Sequence, residues 1–236
     1  MSPGSTIAWD PAVGRWLNTE PARISPDGAT YFDGNDGRFR TVDARTGATV
    51  KVLTAPDTDF VRVVAYTAGG VYMTKFGLNA PPGLWKVDPA TGRFSQVSKA
   101  QGAWSVVDDR YAWGTDLNSA VEIIDLKTGA SRQVFRSRHE FTDLAGVTGS
   151  GAFLFEGDAG LPTNWASLIQ LDGSALAVPI PDGLRGKTTL SYFKVGPAIT
   201  IVGNGMGLAA YDPDHGLKVL ATAPDVYKVL GPCAAG

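Results

Sequence analysis

Four carboxylates that could bind a divalent metal ion lie close to the starts of predicted strands in different parts of the chain: Glu20, Asp59, Asp143 and Asp225. If those strands converge on one channel, their oxygen atoms could gather around Ca²⁺ and serve a hydrolase or lyase. The distance to the next tight turn is uneven, because 8 residues separate Glu20 from Gly28 and 11 separate Asp59 from Gly70. The pattern therefore favours solvated loop acids. We expect no cofactor, with calcium as the alternative.

The chain contains two histidines, His139 and His215, and one cysteine, Cys233. His139 is predicted to lie in a loop between repeated units and His215 in a tight turn at the other end of the strands, so the two cannot share a metal ion. A Ser-His-Asp arrangement would have to form around His139, where the sequence indicates no partner. We interpret His139 as a surface residue. A lone cysteine forms neither an internal disulfide nor a thiolate cluster.

Charge and composition exclude several classes of protein. The formal net charge is −2, the pI is about 5.7 and no run of Lys or Arg occurs, so we expect no nucleic-acid binding. No apolar segment is long enough for membrane insertion, and no charged-then-apolar leader that would direct export is visible. The 29 glycines and 15 prolines among 236 residues indicate many turns, and no stretch has the apolar spacing of a helix.

The stretch 84–98 has the pattern of a β-hairpin. Apolar and polar residues roughly alternate over Leu84–Val87 and again over Phe94–Val97, as in strands with one buried face. Between them, Asp88 can accept a hydrogen bond from a backbone N–H two residues on, Pro89 fixes φ, and Gly92 tolerates positive φ. The sequence therefore predicts two antiparallel strands joined by a type I turn that a glycine bulge closes.

This Asp-to-Gly turn recurs along the chain, each time after an apolar residue: at Asp10–Gly14, Asp43–Gly47, Asp88–Gly92, Asp125–Gly129 and Asp212–Gly216, and in a shorter form at Asp172–Gly173. The spacings between successive aspartates are 33, 45, 37, 47 and 40 residues, with a mean of about 40. A period of this size is typical of β-propeller blades. We therefore predict an all-β protein in which residues 1–236 form a single β-propeller domain.

The arrangement of strands within the repeats predicts six blades. Five complete units are expected at roughly 22–53, 60–97, 104–135, 142–178 and 190–220. A sixth, composite blade would combine strands near Ile7–Asp10 and Arg15–Leu17 with a C-terminal strand at Val226–Leu230, which closes the ring between the two termini. That blade would have three strands unless the native chain is longer. Five-bladed closure is the alternative.

The segment Ile24-Ser25-Pro26-Asp27-Gly28, followed by Thr30-Tyr31-Phe32, resembles the SPDG hairpin of the WD-like repeats in bacterial TolB-type propellers. The chain as a whole is similar to proteins of that kind. The resemblance implies a six-bladed ring, export to the periplasm or the medium, and a docking or scaffold role. It implies no catalytic residue for any position of this sequence.

Two of the predicted units are longer than the others, and the extra residues fit best between their second and third strands, at Phe76–Gly83 and Gly157–Trp165. Insertions within repeats tend to lie on the binding face, which the loops between blades share. The candidate contacts with a ligand or partner on that face are Asn79, Arg136, Arg138, His139, Asn164 and Trp165. We interpret Trp85 and Trp113 as packing residues, because both lie within predicted strands.

Two hypotheses about function follow from these observations. The first is a non-enzymatic binding or scaffold module that presents one loop-rich face to a protein or glycan partner. It is favoured because loop insertions vary on that face while no nucleophile or acid–base set converges. The alternative is a calcium-type, metal-dependent hydrolase or lyase with its site in the central channel.

Overall fold

The computed structural model describes residues 8–10, 13–17, 19, 21–35, 38–56, 60–75, 83–100, 102–116, 119–148, 151–158, 165–180, 190–195, 198–203, 207–212 and 216–221. This part of the chain contains 21 β-strands and one short 3-10 helix at Pro21–Arg23. The predicted near absence of helix is therefore confirmed for the described residues. None of them belongs to a helix with the length and apolar character needed to cross a membrane.

The strands form antiparallel sheets of consecutive strands. The first two sheets are small: β1 (Ala8–Asp10) with β2 (Arg15–Leu17), and β3 (Thr30–Asn35), β4 (Arg38–Asp43) and β5 (Thr49–Thr54). Two four-stranded sheets follow: β6 (Phe60–Thr67), β7 (Gly70–Lys75), β8 (Leu84–Val87) and β9 (Phe94–Ser98), then β10 (Ala103–Val107), β11 (Tyr111–Thr115), β12 (Ala120–Asp125) and β13 (Ser131–Arg136).

The last two sheets have four strands each: β14 (Phe141–Thr148), β15 (Gly151–Gly157), β16 (Trp165–Ile169) and β17 (Ala175–Ala177), then β18 (Leu190–Val195), β19 (Ala198–Gly203), β20 (Gly207–Asp212) and β21 (Gly216–Ala221). In every four-stranded sheet the spatial order equals the sequence order. The repeated unit is therefore the four-stranded antiparallel meander that the spacing of the turns predicts.

The chain divides into two compact units. Among the described residues, the first contains those up to Tyr111 together with 124–131, and the second contains 112–123 and 132–221. In the first unit Phe32 stacks on Phe39 with ring centroids 5.1 Å apart, next to the buried side chain of Met73. In the second unit Phe153 and Phe155 meet edge to face at 4.9 Å. Each unit thus has an aromatic core of its own.

The second strands of two sheets are buried along almost their whole length. Every described residue of β15 and all but the last of β7 are buried. Such strands are covered on both faces, which explains why their sequences are nearly continuous in apolar residues instead of alternating. Trp113 is buried in the second strand of its own sheet and Trp85 lies in β8, so the prediction that both tryptophans occupy strands is confirmed.

The Asp-to-Gly turn forms as predicted. At the β8–β9 turn, the N–H of Gly92 donates to the carbonyl of Asp88 at 2.7 Å, and Gly92 has φ of +80°. The Asp88 carboxylate accepts from the N–H groups of Ala90 and Thr91 at 2.9 and 3.2 Å. The same Gly-to-Asp backbone bond closes the turns at Asp10, Asp43 and Asp125, with lengths of 2.8–2.9 Å.

The first predicted four-stranded unit differs from the prediction. Its expected first strand is reduced to a single bridge between Ile24 and Tyr31, and Pro21–Arg23 forms the 3-10 helix. Pro21 and Pro26 flank this bridge, and neither carries the backbone N–H that a ladder needs. A continuous strand therefore cannot form there.

Both predicted loop insertions lie between second and third strands, since β7 ends at Lys75 and β8 begins at Leu84, while β15 ends at Gly157 and β16 begins at Trp165. The predicted C-terminal strand at Val226–Leu230 lies outside the described residues, as do His215 and Cys233. Closure of a ring by the two termini, the number of blades and the single domain therefore stay predictions.

Candidate functional site

Three segments meet at one end of the sheet β14–β17. Residues 137–140 lead into β14, Asp158 follows β15, and Trp165 begins β16. Because neighbouring strands are antiparallel, the start of β14, the end of β15 and the start of β16 lie at the same end of the sheet. There the imidazole of His139 stacks on the indole of Trp165, with ring centroids 3.9 Å apart and an interplanar angle of 17°.

Asp158 holds the imidazole in place. The Nδ1 atom of His139 lies 3.1 and 3.3 Å from the two carboxylate oxygens of Asp158. An ionised carboxylate only accepts hydrogen bonds, so Nδ1 carries the proton and donates. The backbone N–H of Glu140 also donates to Asp158, at 3.3 Å. One carboxylate therefore fixes the orientation of the ring and the path of the backbone beside it.

A buried carboxylate, Glu156, lies beneath this contact. Its side chain accepts hydrogen bonds from the hydroxyls of Ser137 at 2.5 Å and Ser167 at 3.1 Å. Only 6% of Glu156 is exposed, and its register partner on the next strand is Trp165. The hydroxyl of Ser137 in turn accepts from the N–H of His139 at 2.9 Å. Glu156 thus ties the segment that carries His139 to the strand that carries Trp165.

Ser119 supplies a further support from the loop before β12. Its hydroxyl donates to the carbonyl of Glu140 at 3.0 Å, and its own carbonyl accepts from the N–H of Ser137 at 3.0 Å. Ser119 is buried and has φ of +59°, the only positive φ of a non-glycine residue in the described part of the chain. A residue is kept in that conformation only where its surroundings fix it. The segment 137–140 is therefore held from both sides.

The structure brings two of the predicted contact residues together, His139 and Trp165. Trp165 is 40% exposed, which is unusual for so large an apolar side chain. Arg136 ends β13 and donates from Nη2 to the side-chain oxygen of Gln133 at 3.1 Å, and Arg138 is exposed next to His139. Asn79 and Asn164 lie outside the described residues. Whether any of these side chains binds a partner stays a prediction.

The sequence reasoning did not find Asp158, Glu156, Ser137 or Ser119. It also found no partner for His139, whereas the structure supplies Asp158. The available signal was the pair of acids at 156 and 158, two residues apart at the end of a buried strand and directly before the longest insertion. The arrangement is not a Ser-His-Asp triad, because Ser137 donates its hydroxyl proton to Glu156 and meets only the backbone of His139.

Of the four carboxylates predicted as possible calcium ligands, one lies among the described residues. Asp143 is exposed on β14, and Glu20, Asp59 and Asp225 lie outside the described residues. Among the residues that the structure describes, no three or more His, Cys, Asp or Glu side chains are grouped so that they could hold a metal ion. The prediction of no cofactor and its calcium alternative are both untested.

Comparisons with known proteins give no match to a family model and none to a curated protein. Solved structures do match. The chain aligns with an oligogalacturonate lyase in complex with manganese over 85% of its own length and 64% of that chain, at 17% identity and a TM-score of 0.57. It aligns with TolB from Acinetobacter baumannii over 89% and 62%, at 16% identity and 0.57. A nidogen/laminin complex matches over 83% and 78%, at 14% identity and 0.54.

At identities this low, the likeness shows the fold alone. These neighbours are β-propellers, and the four-stranded antiparallel repeat of this chain agrees with them. The chain therefore has an all-β, β-propeller fold, which it shares with TolB, as the turn spacing and the resemblance of the Ser25–Gly28 segment predict. It spans less than two thirds of the length of the lyase and of TolB.

Proposed function

We propose that this protein is a non-enzymatic binding module whose contact surface is built around Trp165. We use the name Trp165 surface for Trp165, His139, Arg136 and Arg138. The observation that carries the proposal is an exposed tryptophan stacked on a histidine that Asp158 fixes in place. Such an arrangement presents a large apolar face to solvent in a single orientation.

The residue types support a binding role. Tryptophan and arginine are enriched among the residues that contribute most to protein–protein affinity, and tryptophan faces also stack on sugar rings. Hydrogen bonds from Ser137, Ser167 and Glu140 hold the surrounding backbone. A site that is ordered before binding loses less conformational entropy on association. The proposed partner is accordingly a protein or a glycan.

The TolB-like fold adds two elements to the proposal. It supports a docking or scaffold role, because the structural neighbours include TolB and a chain of a nidogen/laminin complex. It also supports export from the cytoplasm, in line with the resemblance of the Ser25–Gly28 segment. Recovery of the native protein from periplasmic or culture fractions is the expected result of cell fractionation.

A metal-dependent hydrolase or lyase is the second candidate function. The observation that favours it is the likeness to a lyase solved in complex with manganese. A bound ion raises the melting temperature by mass action. A melting temperature that is the same with Ca²⁺, with Mn²⁺ and with EDTA would argue against this candidate.

The test of the binding proposal is a double substitution of the surface, Trp165→Ala with Arg138→Ala. We expect at least a tenfold loss of partner capture, measured on a glycan array and against immobilised extracellular proteins, with little change in melting temperature. A matched control replaces an exposed apolar residue and an exposed arginine elsewhere, Leu171→Ala with Arg93→Ala. Equal capture by both variants and the unmodified protein would contradict the proposal.

A further inference from the structure

The outer strand of the sheet β3–β5 exposes two large apolar side chains. Val50 is 62% exposed and Val52 is 69% exposed, the highest values among the large apolar side chains of the described residues. Val52 lies directly opposite Arg40 in the register of β4 and β5, and Arg40 lies opposite Asp33 of β3. These three side chains therefore form one row across one face of the sheet.

The outer edge of β5 has a bulge at Val50, and the part of the strand beyond it carries few of the features that usually prevent strand pairing. Within the described residues β5 pairs with β4 alone. An exposed edge is normally protected by proline, a bulge or an outward lysine. The register shift leaves Val50 without a partner, so the regular edge runs from Lys51 to Thr54 and contains no proline. The ammonium group of Lys51 donates to the carbonyl of Ala90, so its charge is held away from the edge.

Other outer strands differ from β5. β17 has only three residues, which limits the number of backbone bonds that a partner strand could form. β13 carries an exposed arginine at its end, Arg136, while its Arg132 donates to the carbonyl of Leu171 at 2.7 Å, as Lys51 does to that of Ala90. Thr49–Thr54 is instead rich in β-branched residues, which favour strand formation.

Three arginines line the face next to this edge. A concavity of about 500 Å³ on it is lined by Arg23, Arg38, Arg40, Asp33 and Val52, among others. Arg40 donates from Nε and Nη2 to one carboxylate oxygen of Asp33 at 2.8 and 2.6 Å, and Arg23 donates to the carbonyl of Gly34 at 3.0 Å. Arg38 is exposed and has no ion-pair partner among the described residues. Arg38 is therefore the arginine of this concavity whose charge is available to a ligand, next to the Arg40–Asp33 ion pair.

We infer that the edge of β5 and this arginine-lined face bind an extended acidic peptide segment of a partner protein. The segment adds to the sheet as a strand beside β5, which gives main-chain hydrogen bonds. Successive side chains of a strand point to opposite faces, so alternate residues of the segment share the face of Val52. On that face one apolar side chain covers Val52, and the carboxylates on either side of it reach Arg38 and Arg40 across one strand. The added strand and β4 lie two inter-strand spacings apart, about 10 Å, and the side chains of a glutamate and an arginine together span that distance. This site is independent of the Trp165 surface.

The probe for the test is the hexapeptide Glu-Thr-Val-Thr-Glu-Thr with blocked ends, whose valine and glutamates share one face of a strand, added to the isotope-labelled protein and followed by NMR. We expect amide shifts centred on 51–54, and the same peptide with lysine in place of both glutamates should bind at least tenfold more weakly. Methylation of alternate peptide nitrogens should abolish binding, because the added strand then loses its donors. Added salt should weaken the binding of the peptide, because its carboxylates meet the arginines at a solvent-exposed surface.

Two arginine pairs provide matched variants. Arg38→Ala with Arg40→Ala should weaken peptide binding about tenfold, whereas Arg45→Ala with Arg93→Ala removes the same charge elsewhere and should leave it unchanged. Equal binding of the acidic and the basic peptide, or shifts outside β5, would overturn the inference. So would concentration-dependent broadening of the 51–54 signals without peptide, which would make a second copy of this chain the occupant.

Discussion

Glu156 is the residue on which the geometry of the Trp165 surface depends. It is buried, yet it contacts the segment that carries His139 through Ser137 and the strand that carries Trp165 through Ser167. Replacement by alanine would leave the Ser137 hydroxyl buried without its acceptor. An unsatisfied buried polar group typically costs about 1–3 kcal/mol.

We expect Glu156→Ala to lower the free energy of unfolding by about 2 kcal/mol and the melting temperature by about 4–8 °C. Amide exchange at 137–140 and 165–167 should accelerate. Glu156→Gln is the matched control, because its amide oxygen still accepts one hydroxyl and its amide nitrogen can donate to the other. The glutamine variant should keep more than half of the stability that the alanine variant loses. A change of less than about 0.5 kcal/mol for the alanine variant would contradict the role given to Glu156.

At this scale the sequence singled out Trp165 and His139 as candidate contact residues, whose binding role stays a prediction, and it did not find the residues that support them. Trp165 could be singled out because it ends an insertion, and His139 because it lies in a loop between units. The meeting of Glu156 with Ser137 depends on how a loop folds back over a strand 19 residues away. No local spacing encodes such a contact. Glu156 also stands in an otherwise apolar strand, where a sequence pattern alone gives an acid no reason to be buried.

The Asp-to-Gly turns have a second role at the scale of the elements. A Cβ atom built on Gly129 would lie 2.4 Å from the carbonyl oxygen of Val97, which belongs to the outer strand of the preceding sheet. Gly173 approaches the carbonyl of Val134 in the same way, also at 2.4 Å. Nothing lies within 4 Å of the corresponding position on Gly47. Some turns are therefore packed against the neighbouring sheet and others are open.

This difference allows a matched pair of substitutions. Gly129 and Gly47 have nearly the same backbone, with φ of +73° and +75°, so alanine causes similar backbone strain at both, about 1 kcal/mol. Only Gly129→Ala also collides with the Val97 carbonyl. We expect Gly129→Ala to reduce the free energy of unfolding by at least twice as much as Gly47→Ala, measured by urea denaturation. Equal losses would show that the turn can move away from the preceding sheet without cost.

The elements themselves were largely predictable because their information is local. Asp88 accepts the hydrogen bonds of the turn with its carboxylate and its carbonyl, and Gly92 donates its backbone N–H, so the pattern identifies the turn wherever it recurs. The contact between Gly129 and Val97 was not predictable, since conformational freedom alone already accounts for a glycine there. The missing first strand at Ile24 could have been anticipated from the prolines at 21 and 26.

For the whole molecule, the repeated turns predict a shared response to acid. In five turns that recur through both compact units, hydrogen bonds from the turn's own donors hold the pKa of the aspartate below its usual 3.8. The main donors are the Ser25 hydroxyl for Asp27, the Thr46 N–H for Asp43, the Thr91 hydroxyl for Asp88, the Thr128 N–H for Asp125 and the Ser174 N–H for Asp172. Each bond is stronger to the ionised carboxylate, so the folded state binds protons less readily than the unfolded state at these sites.

A carboxyl group whose pKa is lower in the folded state stabilises the fold above its unfolded pKa, and this contribution is lost as the pH falls through the folded value. We therefore expect the melting temperature to fall steadily as the pH is lowered from about 5 to below 3.8. Asparagine can still accept the turn hydrogen bonds but does not titrate in this range. The triple variant Asp43→Asn, Asp88→Asn, Asp125→Asn should consequently lose less melting temperature between pH 5 and pH 3 than the unmodified protein. Asp109→Asn, at an exposed aspartate outside the five turns, is the control that should keep the original slope. If the triple variant and the unmodified protein respond equally to acid, other carboxylates govern acid unfolding and the turns contribute through their backbone bonds alone.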